Sequence, residues 1–156
     1  MFYVVSVSNN DILILGPIAP KVSPQNFEIV RTKVGVKVWK DKKDTFKRLP
    51  QFLTKSYHFQ TPTRSVKDSE WGIDVHGPST IYLVQMDLAG ANELTKKSWA
   101  KQIGEVIVSC CKLKNVWKKR LIKEGSNTIV LPKIDTKDTT RIIFIKGIQF
   151  QHLILI

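Results

Sequence analysis

The chain has 156 residues, the size of a single domain, and can bury a core without metal or disulfide staples. An apolar share of 42% with 24% charged residues excludes wholesale disorder. Lys and Arg outnumber Asp and Glu by 25 to 13, a formal +12 that favours anionic partners: nucleic acid, acidic lipid, acidic glycans or acidic protein.

Phe2 to Val7 and Ile12 to Leu15 are short apolar bursts. Asn9, Asn10 and Asp11 between them are turn formers, so the pair predicts a hairpin. Gly16-Pro17 ends it, and Pro20 and Pro24 mark an extended linker. Phe27 to Thr32 predicts a strand. Val34, Val36 and Val38 then alternate with Gly35, Lys37 and Trp39, predicting another. Asp41 to Asp44 is a polar turn. Phe46, Leu49, Phe52 and Leu53 fit one helical turn, whose length Pro50 limits.

Tyr57 to Gln60 is a short strand, and Thr61 to Ser69 a polar loop. Trp71, Ile73 and Val75 alternate with polar residues, and Gly77-Pro78 reads as the turn that ends this strand. Thr80 to Met86 predicts a strand buried on both faces. Asp87 to Lys101 predicts a loop with at most a turn or two of helix, because Gly90 interrupts it. Val106 to Leu113, Trp117 to Ile122 and Thr128 to Leu131 are strands, with a strong turn at Glu124 to Asn127. Asp135 to Thr140 is a polar loop, and Arg141 to Lys146 and Ile148 to Ile156 are the last two strands.

The pattern is ten to twelve short strands with almost no helix, hence an all-β sandwich or barrel. The apolar end, LILI, is expected to lie beside the equally apolar first strand, completing the sheets. The expectation is one domain over residues 1–156, with strands at 2–15 and 148–156 closing its layers.

Cys110 and Cys111 are the two cysteines, and on a strand their side chains would face opposite ways. The absence of a disulfide framework suggests a reducing compartment. The N-terminus has no basic leader and polar residues interrupt it early, so the expected localisation is cytoplasmic.

A resemblance rests on the order of several motifs. They are Val38-Trp39-Lys40-Asp41, Thr45-Phe46, Leu49 to Leu53, Pro78 to Leu83, Gly104 to Val108, Trp117 to Arg120, Glu124 to Leu131 and Thr140 to Phe144. Over residues 34–145 this resembles the galactose-binding-like β-sandwich of non-catalytic carbohydrate-binding modules. The resemblance implies a jelly-roll sandwich and a lectin-like role.

The residues themselves point to recognition. One basic cluster runs through Lys40, Lys42, Lys43, Lys47, Arg48 and Lys55, another through Lys112, Lys114, Lys118, Lys119, Arg120 and Lys123. Trp99, between Lys96, Lys97 and Lys101, is the candidate exposed stacking platform, whereas Trp39 and Trp71 read as packing residues. His58, His76 and His152 lack metal-ligand spacing, so neither metal nor cofactor is expected. Asp74 and His76 share a strand face, but no nucleophile accompanies them. No enzyme is expected.

The leading expectation is a non-catalytic binding or scaffold module that docks an anionic macromolecule, a protein assembly, through basic loops. Its candidate contacts are Lys42, Lys43, Lys47, Arg48, Lys96, Lys97, Trp99, Lys118, Lys119 and Arg120. Alternatives are a carbohydrate-binding module and non-sequence-specific nucleic-acid binding.

Overall fold

A computed structural model describes residues 3–7, 11–15, 28–60, 71–88, 90–131 and 141–147, with side chains over 29–60, 78–88, 90–122 and 141–146. Eleven strands run in chain order: β1 (Tyr3–Val7), β2 (Asp11–Leu15), β3 (Glu28–Arg31), β4 (Phe46–Arg48), β5 (Tyr57–Gln60), β6 (Trp71–Gln85), β7 (Ala100–Gln102), β8 (Val106–Val108), β9 (Lys112–Leu113), β10 (Asn115–Leu131) and β11 (Arg141–Gly147). Among the described residues the helical content is one 3-10 turn, Gln51–Leu53, and one short helix, α1 (Ala91–Lys96). All pairings between these strands are antiparallel.

Two sheets form. In the larger, β7 pairs with β10, β10 with β6, β6 with β11, β11 with β5 and β5 with β3. The β1–β2 hairpin joins the same sheet at the far end of β6, through Leu15 opposite Val75. The smaller sheet has the order β4-β8-β9.

The core lies between the layers. Tyr82 and Val84 of β6, Ile142 and Phe144 of β11 and Val116 of β10 share one face of the large sheet. They pack with Phe46, Val106, Val108 and Leu113 of the small sheet and with Val38, Trp39 and Leu53 from the connections. The alternate positions are buried too: Ile81, Leu83, Ile143, Ile145, Trp117 and Leu121. The expected two-sided burial of Thr80 to Met86 therefore holds from Ile81 to Gln85, while Thr80 is half-buried and Met86 exposed.

Three local readings need correction. The first is the Val34–Trp39 strand, which forms a turn joined to Thr45 by one isolated bridge at Lys37. Gly35 sits at φ +90, and Val36 N–H bonds the Lys33 carbonyl, so the chain folds back where alternation suggested extension. Period two then fails, because neighbours Val38 and Trp39 are both buried.

The second concerns two turns, Gly77-Pro78 and Glu124 to Asn127, which are absent as turns. β6 and β10 run through both as one long ribbon, in which Gly77 faces Gly125. The register shifts between Leu121 and Gly125, so the two turn signals mark one bulge seen from its two strands. Pro78 lies between the paired positions Gly77 and Ser79, opposite the bulge, where proline can be accommodated within a sheet.

The third is Val106–Leu113, which breaks into a tight hairpin. Val108 N–H bonds the Cys111 carbonyl and Cys111 N–H bonds the Val108 carbonyl, closing a turn over Ser109 and Cys110. The expectation of opposed cysteine side chains fails because the pair lies in this turn rather than on a strand. The Cys110 and Cys111 sulfurs lie against each other there. A pair of neighbours joins no distant segments and is no framework.

The predicted N-terminal hairpin, the strands at Glu28–Arg31, Tyr57–Gln60 and Arg141–Gly147, and the short helical piece after Asp87 are all present. The loops at 61–69 and 135–140 and the strand at 148–156 lie outside the described residues.

Candidate basic docking face

The second basic cluster splits across the large sheet. On β10 the side chains alternate, so Lys118 and Arg120 take the face that Val116 presents to the small sheet. Lys118 lies over the Tyr82 ring, with Nζ 6.0 Å from its centroid. Burial pushes the Tyr82 phenol up in pKa, and the nearby positive charge of Arg120 opposes that shift. Phe52 stacks on the same ring at 5.2 Å. Arg120 itself is exposed.

Lys119 points the other way. Its Nζ donates to the Lys97 carbonyl at the end of α1, at 2.5 Å. A cation at a helix C-terminus satisfies an orphan carbonyl and complements the helix dipole. Burial lowers the Lys119 pKa, and the positive charge of Lys97 lowers it further. Lys119 is thus a structural cap as well as a charge.

β7 forms the edge beside β10. Lys101 is opposite Trp117, and Ala100 opposite Lys118. The Lys101 ammonium lies 5.8 Å from the Trp117 ring centroid and donates to the Lys114 carbonyl at 3.4 Å. That bond ties the edge strand to the chain leaving β9. On the outside of the small sheet, Arg48 and Lys112 are both register partners of Ile107. Arg48, Lys112, Lys114 and Lys101 are all exposed. The two clusters, separate in sequence, are therefore linked by a basic band from β4 across β9 to the β7–β10 edge. Lys42, Lys43 and Lys47 are exposed on the approach to and within β4. Lys96 is exposed on α1, 4.0 Å from Glu93.

Trp99 is not an exposed platform. Only 4% of its surface is accessible. Ser98, at φ 68, reverses the chain after α1, and Trp99 N–H bonds the Leu94 carbonyl. The indole is thereby folded under. Trp39 and Trp117 are buried as well, and the indole N–H groups of Trp99 and Trp117 have no hydrogen-bond partner among the described residues. Each such donor costs roughly 1–3 kcal/mol. The side chain of Trp71 lies outside those described.

His58 is a core residue. Nε2–H donates to the Lys37 carbonyl at 3.1 Å, so Nδ1 accepts from the Thr32 hydroxyl at 3.0 Å. Burial holds its pKa down at about 4, opposed by the backbone bond. Arg141 is buried beside Gln85, to which its Nε donates, and burial lowers its pKa to about 10 against the raising effect of Asp87. Among the described residues no group of His, Cys, Asp or Glu is placed to hold a metal. Asp74 and His76 are described only as backbone in β6, and His152 lies outside the described residues.

No family model matches the chain, and no curated protein matches it. Among solved structures it is similar to the structure of a beta-glucuronidase from glycoside hydrolase family 2, with a TM-score of 0.65 and 15% identity. The likeness covers 85% of this chain and 14% of that chain, so it concerns a small part of the larger protein. At this identity it shows architecture.

The fold is an all-β sandwich of antiparallel sheets. In this sandwich the basic band follows the connection where β9 hands the chain to β10. Arg48 and Lys112, both partners of Ile107, join the clusters, and Lys101 extends the band to β7. Its importance was hidden in the sequence because β7 is too short to show a period.

Proposed function

We propose that this β-sandwich is a non-catalytic binding or scaffold module that docks an acidic protein surface against the basic band. The observation that supports the reading is the run of exposed cations that the fold brings into sequence: Arg48 and Lys112 flank Ile107 on the outside of the small sheet, Lys114 leaves β9, and Lys101 reaches the Lys114 carbonyl from β7. Nearby described acids have basic neighbours of their own: Glu93 lies by Lys96, and Asp87 acts on Arg141. A protein partner is favoured over a single nucleic-acid strand because stacking needs exposed aromatic faces. Trp39, Trp99 and Trp117 are at most 5% exposed.

Poly-L-glutamate is the test probe. Its binding is expected to weaken about tenfold on going from low to moderate salt, as screened charge contacts do. Binding that ignores salt, or none at low salt, overturns the reading.

A second reading, carbohydrate recognition, is favoured by the structural likeness to part of a beta-glucuronidase. It predicts hits on an array of neutral and acidic glycans. A blank array removes it.

A further inference from the structure

β7 is an edge strand of an unusual kind. Among the described residues it pairs on one side alone, with β10. It is three residues long, and Ala100 and Lys101 are exposed. Ile103, the next residue after Gln102, is fully exposed, at 100%. Successive residues of an edge strand aim their backbone groups alternately at the partner strand and away from it. Trp99 N–H bonds Leu94 rather than β10, which puts the odd positions on the outward side. Lys101 and Ile103 continue that outward series.

An outward row of backbone donors and acceptors is a template for one more strand. Lysine on such an edge repels a second copy of this chain, whose own charge is +12. The same lysines attract a strand of opposite sign. Lys97, Lys101, Lys114 and Lys118 surround the edge and supply that field. Ile103 supplies an apolar contact where the edge ends.

We propose that the β7 edge receives an extended acidic segment of a partner protein, which pairs with it as an added antiparallel or parallel strand. The inference rests on the acidic-partner reading above and adds the mode of binding: backbone pairing at 101–103, with the lysines selecting acidic side chains.

Amide hydrogen exchange, measured on the whole chain with and without saturating poly-L-glutamate, tests it. Exchange at Lys101 and Ile103 is expected to slow at least tenfold, with smaller changes at β3, on the opposite edge. Ile103→Ser, a change at a fully exposed position, is expected to weaken binding several-fold and leave the melting temperature unchanged. Binding without protection at 101–103 overturns strand addition and leaves the acidic-partner reading standing. No binding at all overturns both. Equal affinity of the Ile103→Ser variant overturns the apolar contact.

Discussion

At the scale of single residues, the informative group is His58. Its ring is sealed among Phe46, Phe144, Thr32 and the Lys37 carbonyl, and both nitrogens are used. Protonation would put a charge where solvent cannot reach. The folded pKa, about 4, lies below the ordinary 6.5, so between those values the unfolded chain binds more protons. The His58 contribution is therefore complete above pH 6.5 and is lost as pH falls towards 4. The shift corresponds to about 3 kcal/mol. Urea melts from pH 7 to 4 should show this loss relative to His58→Asn, whose profile lacks it; parallel profiles would contradict the assignment. Trp39 is a second fixed point. Its indole N–H reaches the Arg141 carbonyl at 3.4 Å, linking the connection before β4 to β11. Trp39→Ala should cost about 3–5 kcal/mol by chemical denaturation. The sequence predicts Trp39 as a packing residue on an alternating strand; it does pack, but from the connection before β4. The burial of Trp99 was not legible in the sequence, because it depends on the reversal at Ser98, which no local pattern announces.

At the scale of elements, strands with their own β-branched and aromatic content were readable, such as Tyr57–Gln60 and Thr80–Gln85. The misreadings share one cause. A glycine or proline signals that the backbone departs from regularity, but its partner strand decides what the departure becomes. Gly77-Pro78 and Glu124 to Asn127 each look like a chain reversal alone. Set opposite each other, they make a bulge that lets a 15-residue strand and a 17-residue strand stay paired. At Gly35 the reverse holds: an alternating valine series conceals a left-handed turn. A Cβ there meets nothing within 4 Å, so Gly35→Ala would suffer backbone strain without a clash. It should destabilise by about 1–2 kcal/mol, and Gly35→Asn by less, since asparagine tolerates that conformation. Thermal melts of the two variants would check the order; equal losses would point to another cause.

At the scale of the whole molecule, charge is the dominant feature. An excess of 12 positive charges repels itself in the compact state. Adding salt up to about 0.15 M should raise the melting temperature by screening that repulsion. A melting temperature indifferent to salt would mean that the charges are already locally balanced. Both clusters of the docking face could be read along the chain, but not their union, because Arg48 and Lys112 meet across Ile107, and Lys101 meets Lys114, only through the pairing of strands. The central claim is that position, and not net charge, makes this side the docking face. The most direct measurement compares two double variants of equal charge by their affinity for poly-L-glutamate. One carries Lys101→Glu and Lys118→Glu on the β7–β10 side. The other carries Arg31→Glu and Lys33→Glu, in and just after β3 at the opposite edge of the large sheet. Loss of at least about tenfold in the first variant, with a much smaller loss in the second, is the predicted result. Equal losses in both would contradict it.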